Sequence, residues 1–247
     1  MKVMSFNILC GGTGLKMIST RKPLVRDILR KYMPDTFGLQ EAHSIWMKYI
    51  IKNMPEYDYV GVGRENGKKL GEYSPVFYRK DKFELVDSGN FWLSEDPDVP
   101  GKGWDAACTR ICSYAVLKDK STGKCFSHFN THLDHVGAEA QSEGAKLIAE
   151  RADMYPDVPT VVTGDFNVTP DSGAYKSITG KGFLDARHMT ENTDDAGTFH
   201  DFGKCSQIID FIFVKNNIKV LSFKTVTELV RGKYPSDHYP VAAEIEF

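Results

Sequence analysis

Apolar positions along this chain recur with two periods. Segments rich in Val, Ile, Phe and Tyr, many alternating in polarity, predict strands over 2–8, 36–40, 57–63, 75–80, 83–93, 110–118, 125–132, 159–164, 208–214, 218–227 and 241–247. Between them, apolar stripes of helical spacing predict helices beginning near Pro23, Glu41, Ala138 and Asp171. In the first, Leu24, Val25, Ile28 and Leu29 share one face among Arg and Lys; in the third, over 138–153, Ala145, Leu147, Ile148 and Ala152 do. That is more strand than one sheet usually holds. Two sheets packed face to face, with helices outside, is the economical arrangement. No repeat, charge run or Ser/Gly linker divides the chain, so residues 1–247 read as one domain, expected to be monomeric.

Composition narrows the class. The 247 residues are 41% hydrophobic and 26% charged, which suits a globular chain able to bury its own core. A net charge of −2 excludes a strongly cationic wrapper of nucleic acid, though not a nuclease with a local basic patch. No stretch nears the roughly 18 apolar residues of a membrane span, so no stable membrane insertion is expected. The N-terminus lacks the apolar core of an export signal. Cys108 and Cys112, four strand positions apart, would be separated by roughly 13 Å, too far for a disulfide. Five cysteines without a Cys-x-x-Cys read as reduced thiols and a cytoplasmic setting, or export if a leader has been removed.

Candidate chemistry gathers where strands stop. Asn7 ends the first strand, Glu41 follows the second, Asn130 and His132 end CFSHFNTH, and Asp165 and Asn167 close PTVVTGDFN. Asp210 interrupts an apolar run, and Asp237 and His238 precede the last strand. Singly, most of these have ordinary readings: an Asp or Asn at a strand end caps turns, and Glu41 could be a first-turn helix acid. Asp210 is harder to dismiss, because a carboxylate in an apolar strand needs a partner, which His238 would supply. As a set they describe a hard-oxygen site for Mg²⁺ or Mn²⁺ with histidines left for proton transfer and phosphoryl contact, the outfit of metal-assisted phosphoester hydrolysis.

The motifs SFNIL, LQE, GEYSPVFYR, NTHLDH, TGDFN, IIDFIFV and SDHYPV occur in order from Asn7 to His238. In them the chain resembles the endonuclease/exonuclease/phosphatase (DNase I-like) superfamily, and its THLDH form is similar to a bacterial branch of it. The resemblance implies an α/β fold, a four-layer α/β/β/α sandwich of two mostly antiparallel sheets flanked by helices. It implies Glu41 as principal metal carboxylate, with Asn7 beside it and Asp237 nearby. Asp165 would orient or deprotonate the attacking water, and Asn167 would position that water or a phosphoryl oxygen. His238, held by Asp210, would meet the scissile phosphate. His132 would be a second phosphate-side histidine with Glu72 as its partner, and Arg110 would cover a phosphate oxygen or brace the site. The chain departs from that bacterial group at Leu9-Cys10, where an Arg is more usual.

For the substrate rim, Thr198, His200, Trp104 and His135 are the candidates, with Trp92, Phe199 and Phe202 as possible stacking platforms. Three functions compete. A Mg²⁺- or Mn²⁺-dependent phosphodiesterase or nuclease, the latter with nucleic acid as partner, comes first. A phosphomonoesterase on a sugar, inositol or nucleotide phosphate, or a hydrolase of lipid headgroups, is the alternative. A binding module without catalysis is disfavoured by Glu41, Asp165, Asn167, Asp210 and His238 all being present. Groove shape separates the first two: a basic groove with aromatic platforms suits nucleic acid, a closed pocket with clustered cations suits a small phosphate.

Overall fold

The computed structural model describes residues 1–247, the side chain of Leu15 apart. Its elements run β1 (Lys2–Asn7), α1 (Ile18–Tyr32), β2 (Thr36–Gln40), β3 (Ala42–His43), α2 (Ser44–Asn53), β4 (Tyr57–Val60), β5 (Glu72–Tyr73), β6 (Val76–Arg79), β7 (Phe83–Trp92), β8 (Ile111–Asp119) and β9 (Cys125–His132). They continue with α3 (Ala138–Ala152), β10 (Thr160–Asp165), α4 (Gly173–Thr179), β11 (Leu184–Asp185), β12 (Asp210–Lys215), β13 (Lys219–Thr225) and β14 (Val241–Glu246). One sheet has the order β13-β14-β1-β2-β6-β4 and the other β11-β12-β10-β9-β8-β7. Each holds one parallel pair, β1/β2 and β9/β10. A parallel pair needs a long crossover, and α1 and α3 provide them.

Alternation along the strands assigns the faces. Met4 and Phe6 of β1 pack with Val25, Ile28 and Trp46 of the helices, whereas Val3 faces the other sheet among Val161, Ile212 and Val241. Phe211 and Phe213 of β12 pack with Ile148 and Ile178 of α3 and α4, whereas Ile212 and Val214 face inward. The result is the expected four layers: helices, sheet, sheet, helices.

Toward one end the intersheet layer turns polar. Gln40 Nε2 donates to Asn130 Oδ1 at 2.7 Å, and Asn130 Nδ2 donates to the carbonyls of Leu39 and Pro75 at 2.8 and 3.0 Å. Thr163 Oγ1 donates to Asn130 Oδ1 at 2.9 Å. His128, buried, lies between the hydroxyls of Thr36 and Thr163, 2.8 Å from each. These bonds stitch β2 and β6 to β9 and β10 across the sandwich.

Some boundaries differ from the expected ones. The first helix begins at Ile18, five residues before Pro23, which sits inside it. The second begins at Ser44, not at Glu41, whose φ of 61° is left-handed and incompatible with a helix start. The fourth begins at Gly173, where the Ser172 hydroxyl accepts from the Tyr175 amide. The pairs β3/β5 and the two-residue β11 were too short to leave a periodic trace.

Gly38 of β2 faces the stitch: a Cβ there would lie 2.1 Å from Asn130 Oδ1 and 2.5 Å from Thr163 Oγ1. Gly38→Ala should therefore cost about 1–3 kcal/mol by overpacking a hydrogen-bonded layer that cannot move without losing partners. Urea denaturation of wild type and variant measures this; an unchanged midpoint would show that the two sheets are not locked at that point.

Candidate functional site

Strand parity brings the polar ends together. Asn7, His132, Asp165 and Asp210 each continue the inward-facing set of their strand: Asn7 follows Val3 and Ser5, Asp165 follows Val161 and Thr163, and His132 follows His128 and Asn130. Register then makes Asp165 the partner of Asp210 on one side and of His132 on the other. Glu41 enters from the turn after β2, and Asp237 and His238 from the loop before β14. Leu9, Glu41 and Asn167 all hold left-handed backbone, with φ of 54°, 61° and 52°. For Leu and Glu that conformation is disfavoured, so the fold spends stability to aim these turns.

Asn7 is the hinge of the group. Its Nδ2 donates to Glu41 Oε1 at 3.0 Å and to Asp165 Oδ2 at 2.8 Å, while its Oδ1 accepts from the Leu9 amide. The amide nitrogen, not the oxygen, thus meets the carboxylates, and Asn7 braces Glu41. Glu41 Oε2 accepts from the Cys10 amide at 2.8 Å. Burial pushes the Glu41 pKa up, but the bonds from Cys10 and Asn7 and the charge of His238 outweigh it and hold Glu41 below the usual carboxylate range. The loop carrying Cys10 is itself tied by Arg21, fully buried, which donates to the carbonyls of Ile8, Leu9 and Gly11.

His238 Nδ1 lies 2.9 Å from Asp210 Oδ2, and its Nε2 lies 3.7 Å from Asp165 Oδ2. The expected Asp210–His238 pair is therefore formed. Burial disfavours the imidazolium, but Asp210 and Asp165 more than compensate and raise its pKa to about 10. Asp165 is raised to about 7, first by burial and then by the charge of Asp210. Asn167 donates its amide N–H to Asp165 Oδ1 at 2.9 Å and its side chain to the Leu133 carbonyl at 3.0 Å. Asn167 Nδ2 is also 2.9 Å from His132 Nε2. Burial, then the charges of Arg110 and Arg64, push the His132 pKa well down, so this imidazole is neutral.

The second histidine pair is not closed. His132 Nδ1 is 3.9 Å from Glu72 Oε2 and has no hydrogen-bond partner, because Arg64 Nη1 takes that oxygen at 2.7 Å. Arg64 was missed: nothing periodic marks the GRENGKK loop, although Asn66-Gly67 is a turn signal, and the loop folds back so that Arg64 meets Glu72 eight positions on. Arg110 is buried, shares Asp134 and His135 through Nε and Nη2 at 3.5 and 3.2 Å, and keeps Nη1 unpartnered.

Three rim candidates are corrected. Thr198 is fully buried and its hydroxyl accepts from the amides of Ile209 and Asp210, so it fixes the start of β12 rather than touching a ligand. His200 is buried against the Tyr239 ring at 3.9 Å, behind the site. Trp104 packs on the helix-side core of the second sheet. Trp92 is also buried, donating to the Arg64 carbonyl, and Phe202 lies in a separate surface pocket with Lys16 and Tyr234. His135 does reach the site, and so does Phe199, whose ring is 4.9 Å from that of His238.

A cleft of about 330 Å³ collects these groups. Its lining brings together the carboxylates of Glu41, Glu72, Asp165 and Asp237, the basic side chains of Arg64, Arg110, His132, His135 and His238, and Asn167, Phe199 and Cys108. Residues 4–238 match the endonuclease/exonuclease/phosphatase family. The chain belongs to this family. An endonuclease/exonuclease/phosphatase from Bacteroides vulgatus is 41% identical, covering 99% of this chain and 98% of its own, with a TM-score of 0.95. The mannosyl-6-phosphatase of Bacteroides thetaiotaomicron VPI-5482 is 37% identical over 100% of both chains, with a TM-score of 0.94. Human nocturnin is 22% identical over 92% of this chain, which spans 58% of nocturnin's length.

The family implies a divalent cation, and the donor set fits one. Glu41 is held below the usual carboxylate range, and Asp237 is pushed up by burial and by the charge of Glu41, a repulsion that a cation held between them would relieve. Oxygen donors of this kind suit Mg²⁺ or Mn²⁺ better than a soft metal.

His238 keeps its proton through neutral pH, and the stabilisation from its pairing with Asp210 is present below the ordinary imidazole range and lost as pH rises through about 10. Asp210→Asn should move the alkaline limb of the kcat/KM profile at least about one pH unit lower, since an adjacent opposite charge is typically worth that much. A limb that stays in place would remove His238 as the group titrating there.

Proposed function

We propose that this chain is a divalent-cation-dependent phosphomonoesterase acting on a small phosphate ester, with a phosphorylated sugar as the substrate class. The carrying observation is the composition of the cleft: about 330 Å³, lined by four carboxylates together with Arg64, Arg110 and His135. Its volume suits a small molecule. Among the described residues Phe199 alone supplies an aromatic ring to the lining, whereas single-stranded nucleic acid is gripped by successive stacking platforms along a basic groove. The full-length likeness to a mannosyl-6-phosphatase supports the same class.

The residues divide the work by charge. Asp165, with a pKa near neutrality, takes the proton of the attacking water, which Asn167 positions. The His238 imidazolium and the unpartnered Nη1 of Arg110 meet the phosphoryl oxygens, whose charge grows in the transition state. Neutral His132 offers its free Nδ1 on the side of Arg64 and Glu72. Glu41, with Asp237, would hold the cation, which when bound supplies Lewis-acid stabilisation of the phosphoryl group.

A panel of sugar phosphates, nucleotide monophosphates, bis(p-nitrophenyl) phosphate and single-stranded DNA, each with Mg²⁺ or Mn²⁺, tests the reading. A sugar phosphate should exceed the diesters at least about tenfold in kcat/KM, and chelation should abolish turnover until Mg²⁺ or Mn²⁺ is restored. DNA or the diester as best substrate, or activity that survives exhaustive chelation, would sink it.

Asp165→Asn, nearly isosteric, should keep the melting temperature within a few degrees and lower kcat by about 10²–10⁴-fold. Retention of more than about a tenth of wild-type kcat, with chemistry rate-limiting, would pass the base role to another group.

A further inference from the structure

Beside the catalytic cation's carboxylate lies a second ligand group of different chemistry. Cys10 Sγ, a ring nitrogen of His43 and a carboxylate oxygen of Glu72 lie within 4.8 Å of one another. The three come from three segments whose backbones are separately fixed. His43 and Glu72 are cross-strand partners in the β3/β5 pair, and the Cys10 amide is bound to Glu41. Glu72 divides its oxygens: Oε2 is 2.7 Å from Arg64 Nη1, while Oε1 faces His43 Nε2 at 4.0 Å. His43 is partly exposed, so the group is open to solvent on that side.

We propose that Cys10, His43 and Glu72 form a binding site for Zn²⁺ or a similarly thiophilic divalent cation, distinct from the hard-oxygen site at Glu41. A thiolate, an imidazole and a carboxylate are the three-ligand complement of an open zinc site, with the fourth position left to water. Bonds of roughly 2.0–2.3 Å place tetrahedral ligand atoms about 3.3–3.8 Å apart, so the group closes by side-chain shifts of about 1 Å. On binding, the S–H bond breaks, its proton leaves to solvent, and a metal–sulfur bond forms. Mg²⁺, which demands oxygen donors, does not compete here.

The other two groups with ligating side chains lack this freedom. Asp134, beside Cys108 and His135, already accepts from the amides of Ala107, Cys108, Val136 and Gly137 and faces Arg110. Asp165, Asp210 and His238 are buried together, with the imidazole already bonded to Asp210. Occupancy at Cys10 would add positive charge next to Glu41 and draw Glu72 from the His132 side of the cleft. Zn²⁺ should therefore inhibit Mg²⁺-supported turnover without displacing substrate.

Calorimetric titration of Zn²⁺ into the whole chain in excess Mg²⁺, with no substrate present, tests binding apart from catalysis. One equivalent should bind, and affinity should fall at least about tenfold in both Cys10→Ser and His43→Gln but not in Cys108→Ser. Co²⁺ in place of Zn²⁺ should give a thiolate-to-metal charge-transfer band that Cys10→Ser removes. His43→Gln, at an exposed position, should fold and turn over normally in Mg²⁺ while losing Zn²⁺ inhibition. Absence of a Zn²⁺ equivalent, affinity unchanged in both variants, loss in Cys108→Ser instead, or a Co²⁺ spectrum without the thiolate band would each overturn the site.

Discussion

The molecule depends on a buried polar layer that crosses between its two sheets. Sheet faces in a sandwich are usually held by apolar side chains alone, and those slide at small cost. Here Gln40, Asn130, Thr36, His128 and Thr163 exchange hydrogen bonds across the interface. Each bond broken by sliding would leave a buried polar group unpaired, at about 1–3 kcal/mol apiece. The layer therefore fixes one sheet against the other, and the bond from Asn7 to Asp165 continues it to the rim. Glu41 comes from the first sheet and Asp165 from the second, so their relative position depends on this lock.

Once positioned, the ionisable groups set one another's charge. Burial raises the Asp165 pKa, and the charge of Asp210 beside it raises it further. His238, between them, is pulled up by both and keeps a proton. His132, on the other flank of Asp165, is pushed down by burial and by Arg110 and Arg64. Two histidines about equally buried thus shift in opposite directions, because His238 is bonded to a carboxylate while burial and the charges of Arg110 and Arg64 dominate at His132. An acid and a base set apart by surroundings in this way are what proton transfer near neutral pH requires.

Much of this was legible in the chain because a strand has a period of two. Once Val3, Val161 and Ile212 are inward, Asn7, Asp165 and Asp210 must be inward as well, two or four positions away or next to a change of partner. The apolar surroundings of Asp210 announced a buried partner, and His238 is that partner. Turns and loops carry no such rule. Thr198 and His200 sit in a polar segment and read as rim residues, yet both are buried, one serving the amide of Asp210 and the other stacking on Tyr239. Arg64 and Arg21 were unreadable for the same reason. Their roles depend on how irregular segments turn back, Arg64 onto Glu72 eight positions on and Arg21 onto the carbonyls of the Cys10 loop.

The unclosed contact between His132 and Glu72 follows from this competition. A carboxylate near both a guanidinium and a neutral imidazole gains more from the guanidinium, since a bond between charged groups is roughly twice as strong as one to a neutral donor. Glu72 therefore stays on Arg64, and His132 Nδ1 is left without a hydrogen-bond partner. With Arg110 Nη1 it is one of two buried nitrogen groups of the cleft-lining residues lacking a protein partner. Buried polar atoms are rarely left so unless a ligand satisfies them. Both belong to residues that line the cleft with Glu41 and Asp237, so the same competition that breaks the expected pair leaves two nitrogens there without a protein partner.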